Sequence, residues 1–97
     1  MIKHIVCWKL KEEDKPQHAR KVKQLLESLQ NDMEFIRKIE VGINSEGTPA
    51  DNWDVVLYSE FDTLEELNRY QVHPKHKEAG VFIKSVVVKR VCVDYHC

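Results

Sequence analysis

The hydrophobic pattern of this chain switches between the two-residue period of a strand and the longer period of a helix, and the order of these switches restricts the fold. Residues 2–10 and 53–61 carry apolar side chains at alternate positions, and residues 86–95 are rich in valine, as strands are. A shorter strand is predicted around Val41. Two segments with helical spacing complete the order β-α-β-β-α-β, which is the ferredoxin-like pattern of an α+β fold with a four-stranded antiparallel sheet.

The first helix is predicted to begin near Pro16, which suits a first helical turn, and to end at Asn31-Asp32. Its apolar residues share one face, so the helix is amphipathic. The second strand follows, and its apolar positions are Phe35, Ile39, Val41 and Ile43. Residues 44–52 are rich in turn formers and are predicted to be the longest loop.

The second helix is predicted to begin after Thr63, because Thr63 and Glu66 have the spacing of a capping box. Its apolar residues are Leu64, Leu67 and Tyr70. Pro74 then interrupts the pattern. For residues 73–80 we expect only a short irregular helix that stops at Gly80.

Several predicted strands carry apolar side chains on both faces, and this bears on assembly. In the first strand, Ile5 and Cys7 lie opposite the main apolar face. A sheet that is apolar on both sides has to be covered on both sides, and the helices cover only one. The simplest cover is a second copy related by a two-fold axis. A monomer with valines scattered over its second face is the alternative.

Size and charge narrow the function classes. The 97 residues fit one domain, 1–97, and a net charge of −1 gives no bulk attraction to nucleic acid or to an anionic membrane surface. No apolar run approaches the ~20 residues of a membrane span, and Lys3 and Lys9 interrupt the N-terminal apolar stretch, unlike a signal peptide. Three cysteines without motif spacing predict free thiols and a cytoplasmic protein. A bridge between Cys7 and Cys92 is a minor hypothesis.

Four segments resemble, in the same order, the stress-responsive A/B barrel domain family. They are residues 1–10, 41–44, 54–61 and 70–76, and the resemblance extends over nearly the whole chain. It implies a ferredoxin-like subunit and a homodimer whose sheets pack face to face as a dimeric α+β barrel. Many members of this family have no assigned activity and some are linked to stress responses, while one plant member is a polyketide cyclase.

The resemblance to that cyclase implies candidate site residues. The cyclase performs an intramolecular aldol condensation with a tyrosine and a histidine from a Tyr-x-x-His-Pro-x-His segment, which aligns with residues 70–76. Tyr70 and His76 match its catalytic pair, and His4 matches a pocket histidine. Trp8, on the face of His4, and His73 are further candidates for the pocket wall.

Physical chemistry is compatible with this assignment but leaves alternatives open. Histidine can take a proton near neutral pH, and a tyrosine hydroxyl can donate a hydrogen bond to a developing oxyanion. Tyr70 can equally be a core residue, and histidines beside Pro74 can cap helix ends. His4, His73 and His76 offer three metal-binding nitrogens, but Pro74 disrupts the geometry that would bring two of them together. We therefore predict no metal and no cofactor.

Two functional hypotheses remain. The first is a small dimeric protein of this family with a pocket for a small hydrophobic or oxygenated ligand. The second is a cyclase- or lyase-like enzyme in which His76 is the general base and Tyr70 the oxyanion partner.

Overall fold

The computed structural model describes all residues from Met1 to Cys97 and confirms the predicted ferredoxin-like order, with one additional helix. The elements are β1 (Ile2–Leu10), α1 (Lys15–Glu27) with a 3-10 turn (Ser28–Asn31), β2 (Lys38–Ile43), β3 (Val55–Phe61), α2 (Leu64–Val72), α3 (Pro74–Val86) and β4 (Val87–His96). The strands form one antiparallel sheet in the order β2-β3-β1-β4. Because β1 pairs with both β3 and β4, its side chains occupy the middle of the sheet.

The alternation predicted for β1 is confirmed, and it separates two faces of the sheet. Residues at even positions of β1 are buried beneath the helices: Ile2, His4, Val6, Trp8 and Leu10. Those at odd positions are only partly buried. The hydrophobic core lies between the even face and the helices, where Val22 and Leu26 of α1 pack with Phe61 of β3.

The junction between α2 and α3 is defined by two side-chain caps. Thr63 Oγ1 accepts a hydrogen bond from the Glu66 backbone N–H at 3.2 Å, which confirms the predicted start of α2. His73 ends α2 in an extended conformation and caps α3, since its Nδ1 accepts from the Lys75 N–H at 3.1 Å. Pro74 occupies the first turn of α3, where its missing N–H does no harm.

The prediction that helical structure stops at Gly80 is wrong, because α3 continues to Val86. Ala79, Ile83 and Val86 are buried along one side of this helix. The burial of these side chains stabilises a helix that continues past Gly80. This gain exceeds the roughly 1 kcal/mol that a glycine costs inside a helix. A β-carbon added at Gly80 would meet no atom within 4 Å, so no close approach requires a glycine here.

Strands β2 and β3 are shorter than predicted. Phe35 lies before β2, where the Arg69 guanidinium stacks 4.2 Å from its ring. Trp53 lies before β3, with the Lys9 ammonium 5.8 Å from its ring. In β2, Val41 is buried but Ile43 at the end of the strand is 40% exposed, so the apolar face of this strand is less complete than its sequence indicates.

The second face of the sheet is exposed and carries apolar side chains, as the sequence predicts. Val91, Val93 and Tyr95 of β4 lie on this face, beside Ile5 and Cys7 of β1, and we refer to these five residues as the open face. Val93 is 61% and Val91 48% exposed in the single chain. None of the helices is both long and apolar enough to cross a membrane.

The sheet register contradicts a bridge between Cys7 and Cys92. Cys7 lies directly opposite Val91, while Cys92 lies opposite Val6. Side chains directly opposite each other share a face and neighbours alternate, so the two thiols point to opposite sides of the sheet. All three cysteines are free.

Candidate functional site

A cavity of about 400 Å³ lies between the sheet and the helices, within the size range of small-molecule sites. All three helices and strands β1, β3 and β4 contribute to its wall. The apolar part of the wall is formed by Val6, Trp8, Leu26, Leu57, Ile83 and Val87. The polar part contains His4, Tyr70, Gln71, His76, Lys84 and Arg90.

Tyr70 and His76 line this same cavity. Tyr70 is in the last turn of α2 and His76 in the first turn of α3. Their ring centroids are 4.5 Å apart with an interplanar angle of 63°, an edge-on contact typical of aromatic pairs. Tyr70 also packs against Phe61, with centroids 5.1 Å apart. The tyrosine is thus part of the core and part of the cavity wall at once.

The hydroxyl group of Tyr70 is buried and has no hydrogen-bond partner among the groups of the protein. Buried polar groups are usually paired, and an unpaired one costs about 1–3 kcal/mol. Burial also raises the pKa of Tyr70 well above its ordinary value of 10.0. The hydroxyl therefore keeps its proton at neutral pH and is free to donate it in a hydrogen bond.

His76 is half-buried, and its surroundings disfavour the imidazolium form. Burial lowers the pKa of His76 from 6.5, and Coulombic interactions with His4, Arg90 and His73 act in the same direction. A backbone hydrogen bond at Gln71 opposes this change. With the lowered pKa prevailing, His76 is neutral at pH 7 and has a ring nitrogen able to accept a proton.

His4 is buried in β1 and is held by its partner strands. Its Nδ1 is hydrogen-bonded to Oδ1 of Asp94, the residue directly opposite on β4. On the other side, Ser59 Oγ donates to the His4 carbonyl oxygen at 3.0 Å. A carboxylate acceptor fixes the proton on Nδ1. The His4 ring lies 6.1 Å from that of Tyr70.

One group of side chains has donor atoms suited to a metal. His4 Nδ1, Cys92 Sγ and Asp94 Oδ1 all lie within 4.8 Å of one another, and zinc accepts all three donor types. The hydrogen bond between His4 and Asp94 already accounts for their proximity. The three histidines considered from the sequence do not form such a group.

Of the residues proposed from the sequence, His4, Trp8, Tyr70 and His76 line the cavity, and His73 does not. The His73 ring caps α3 instead and borders a separate depression beside Arg69.

Sequence reasoning missed several polar residues of β4 at or beside the cavity. Arg90 lines it, while Cys92 and Asp94 follow on the same face of the strand. Their spacing of two residues was the signal that could have identified them. The valines that alternate with them indicate an apolar surface on the open face and give no sign of a polar group on the cavity side.

Comparison with known proteins agrees with this architecture. A crystal structure of a dimeric protein of unknown function with a ferredoxin-like fold from Bacteroides fragilis is 38% identical, with a TM-score of 0.90 over 99% of this chain and 95% of that one. A dimeric ferredoxin-like protein of unknown function from Thermobifida fusca is 24% identical, with a TM-score of 0.87 over 99% and 90%. Hydroxynitrile lyase from Passiflora edulis is 18% identical, with a TM-score of 0.82 over 97% and 90%.

The curated protein sequences contain no match to this chain. The family model described as Stress responsive A/B Barrel Domain matches residues 2–97. The chain therefore belongs to the stress responsive A/B barrel domain family.

Proposed function

We propose that this protein binds a small, largely hydrophobic molecule carrying an oxygen atom in the cavity beside Tyr70 and His76. The observation that carries the proposal is the buried Tyr70 hydroxyl without a partner in the wall of a cavity of about 400 Å³. An oxygen acceptor on a ligand would satisfy this donor, and the apolar wall would take up the rest of the molecule.

The two tryptophans provide a binding assay with an internal control. Trp8 lines the cavity and Trp53 borders a different depression. In a Trp53→Phe variant, titration with a library of small ketones, phenols and acids should change the emission of Trp8. In a Trp8→Phe variant the same compounds should leave Trp53 unaffected. A library that changes neither emission, or both equally, would contradict binding in this cavity.

A second candidate function is acid–base catalysis on an oxygenated carbon chain, as in a cyclase or lyase. It is favoured by the contact between a neutral histidine and a protonated tyrosine, whose rings are 4.5 Å apart. His76 would remove a proton from a carbon next to a carbonyl group. The Tyr70 hydroxyl would donate a hydrogen bond to the enolate oxygen that forms.

Proton exchange tests the catalytic candidate without knowledge of the natural substrate. A 1,3-diketone bound in the cavity should exchange its acidic protons with D₂O, as followed by NMR. His76→Gln should slow exchange by roughly 10²–10⁴-fold, the usual contribution of a general base. The variant should still bind the diketone in the Trp8 assay. Unchanged exchange in a variant that binds normally would exclude His76 as the base and leave only ligand binding.

We also propose that the protein is a homodimer joined through the open face. The exposed apolar side chains of β4 support this, as do the two relatives described as dimeric. Val93→Glu would place an unpaired charge in the interface and should produce a monomer in sedimentation velocity. Val81, which is 74% exposed on α3, supplies the matched control. Val81→Glu should remain a dimer, and a wild-type monomer at micromolar concentration would refute the proposal.

A further inference from the structure

The mouth of the cavity carries two cationic side chains. Lys84 of α3 and Arg90 of β4 both line the cavity, and both are exposed to solvent. No aspartate or glutamate is among the lining residues. The nearest carboxylate on the same face of β4, that of Asp94, is hydrogen-bonded to His4.

Neither cation has an anionic partner within the chain. Lys15, Lys23, Arg37 and Arg69 each form a salt bridge with a carboxylate. Lys84 and Arg90 form none. A single unpaired surface lysine is ordinary, but here two cations from different elements border the same apolar cavity. Their positive potential extends into a space whose walls exclude much of the water, which strengthens attraction for an anion.

We infer that the ligand of this cavity is an amphipathic organic acid, whose carboxylate is held at the mouth by Lys84 and Arg90 while its apolar body occupies the interior. The inference rests on the proposed ligand site and specifies the chemical class of the ligand. Arg90 offers a planar fork of N–H donors suited to a carboxylate, and Lys84 adds a flexible point charge. Trp8, Leu26 and Ile83, which are buried, provide apolar surface in the cavity wall.

Two probes of equal length and different charge test this inference. Octanoate and octanamide are titrated into the Trp53→Phe protein, with the emission of Trp8 as the readout. We expect octanoate to bind roughly tenfold more tightly, which corresponds to about 1.4 kcal/mol and is reasonable for two solvent-exposed charge-assisted contacts. The preference should decrease when NaCl is raised from about 50 mM to about 500 mM, because exposed charges are screened by salt.

Two variants test whether the preference for octanoate arises from Lys84 and Arg90 or from positive charge elsewhere on the surface. In Lys84→Gln/Arg90→Gln the ratio of the octanamide dissociation constant to the octanoate dissociation constant should fall close to one. Lys89→Gln is the matched control, since Lys89 neighbours Arg90 but lies opposite Lys9 on the other face of the sheet. It should keep the preference of the parent protein.

Each other outcome counts against a specific claim. Equal binding of both probes by the parent protein would overturn the anion inference and leave the cavity as a ligand site. A preference for octanoate that survives in the double variant would overturn the assignment to Lys84 and Arg90. No response of Trp8 to either probe would overturn the anion inference and contradict the proposed ligand site as well.

Discussion

Removal of the Tyr70 hydroxyl should make the protein more stable, which is unusual for a change inside a core. Tyr70→Phe keeps the ring that packs 5.1 Å from Phe61 and 4.5 Å from His76, measured between centroids. It deletes only an oxygen that is buried and has no partner within the protein. Since an unsatisfied buried polar group costs about 1–3 kcal/mol, we expect the free energy of unfolding to rise by about 1 kcal/mol, the lower end of that range.

Equilibrium unfolding in urea at a fixed protein concentration measures this change. Concentration is held constant because the stability of a dimer depends on it. The midpoint should increase with an unchanged slope, which indicates a change in stability alone. Tyr58→Phe is the control, because the Tyr58 hydroxyl is hydrogen-bonded to Glu60 and its loss should bring no gain. A Tyr70→Phe protein less stable than the parent would show that the Tyr70 hydroxyl has a hydrogen-bond partner in solution, and it would refute the claim that this group is buried without one.

Two further predictions concern α3. Gly80→Ala should raise the free energy of unfolding by roughly 0.5–1 kcal/mol, since alanine favours a helix and its β-carbon would meet no atom within 4 Å. Thermal or urea unfolding measures this change. A variant less stable than the parent would contradict the presence of open space beside Gly80. His76→Gln should remove part of the acid sensitivity of the protein. The pKa of His76 is lowered from 6.5 in the folded state, so the unfolded chain binds more protons than the folded one as the pH drops through about 6.5. The free energy of unfolding therefore decreases as the pH drops, by at most about 1.4 kcal/mol per pH unit. Urea midpoints near pH 7 and pH 5.5 should therefore converge in the variant, and an equal fall in both proteins would rule out His76 as the source.

The fold was largely predictable because its elements differ in hydrophobic period. The alternation in β1 and the Thr63 cap are local signals, and the structure confirms both. Gly80 shows the limit of such signals. Its local preference is to end a helix, but the burial of Ala79, Ile83 and Val86 is a tertiary effect that outweighs it. No local pattern reports how much apolar surface a continued helix will bury.

The candidate site was predictable only in part, for a similar reason. Tyr70, His76 and His4 were identified through the family resemblance, and the structure places all three at one cavity. Arg90 and Asp94 were missed because their meaning depends on register. Asp94 is 90 positions from His4 in the chain, and its role becomes visible only when β4 pairs with β1 and places the two residues opposite each other.

The proximity of Tyr70 and His76 depends on the break between α2 and α3. In one continuous helix, residues six positions apart would be separated by ~9 Å along the axis and by ~240° around it, so their side chains would point to different faces. The extended conformation of His73 and the ring of Pro74 end one helix and start another at this point. This change of direction brings the two rings to 4.5 Å. Pro74, which in the sequence argues only against two histidines meeting at a metal, therefore helps to bring Tyr70 and His76 together.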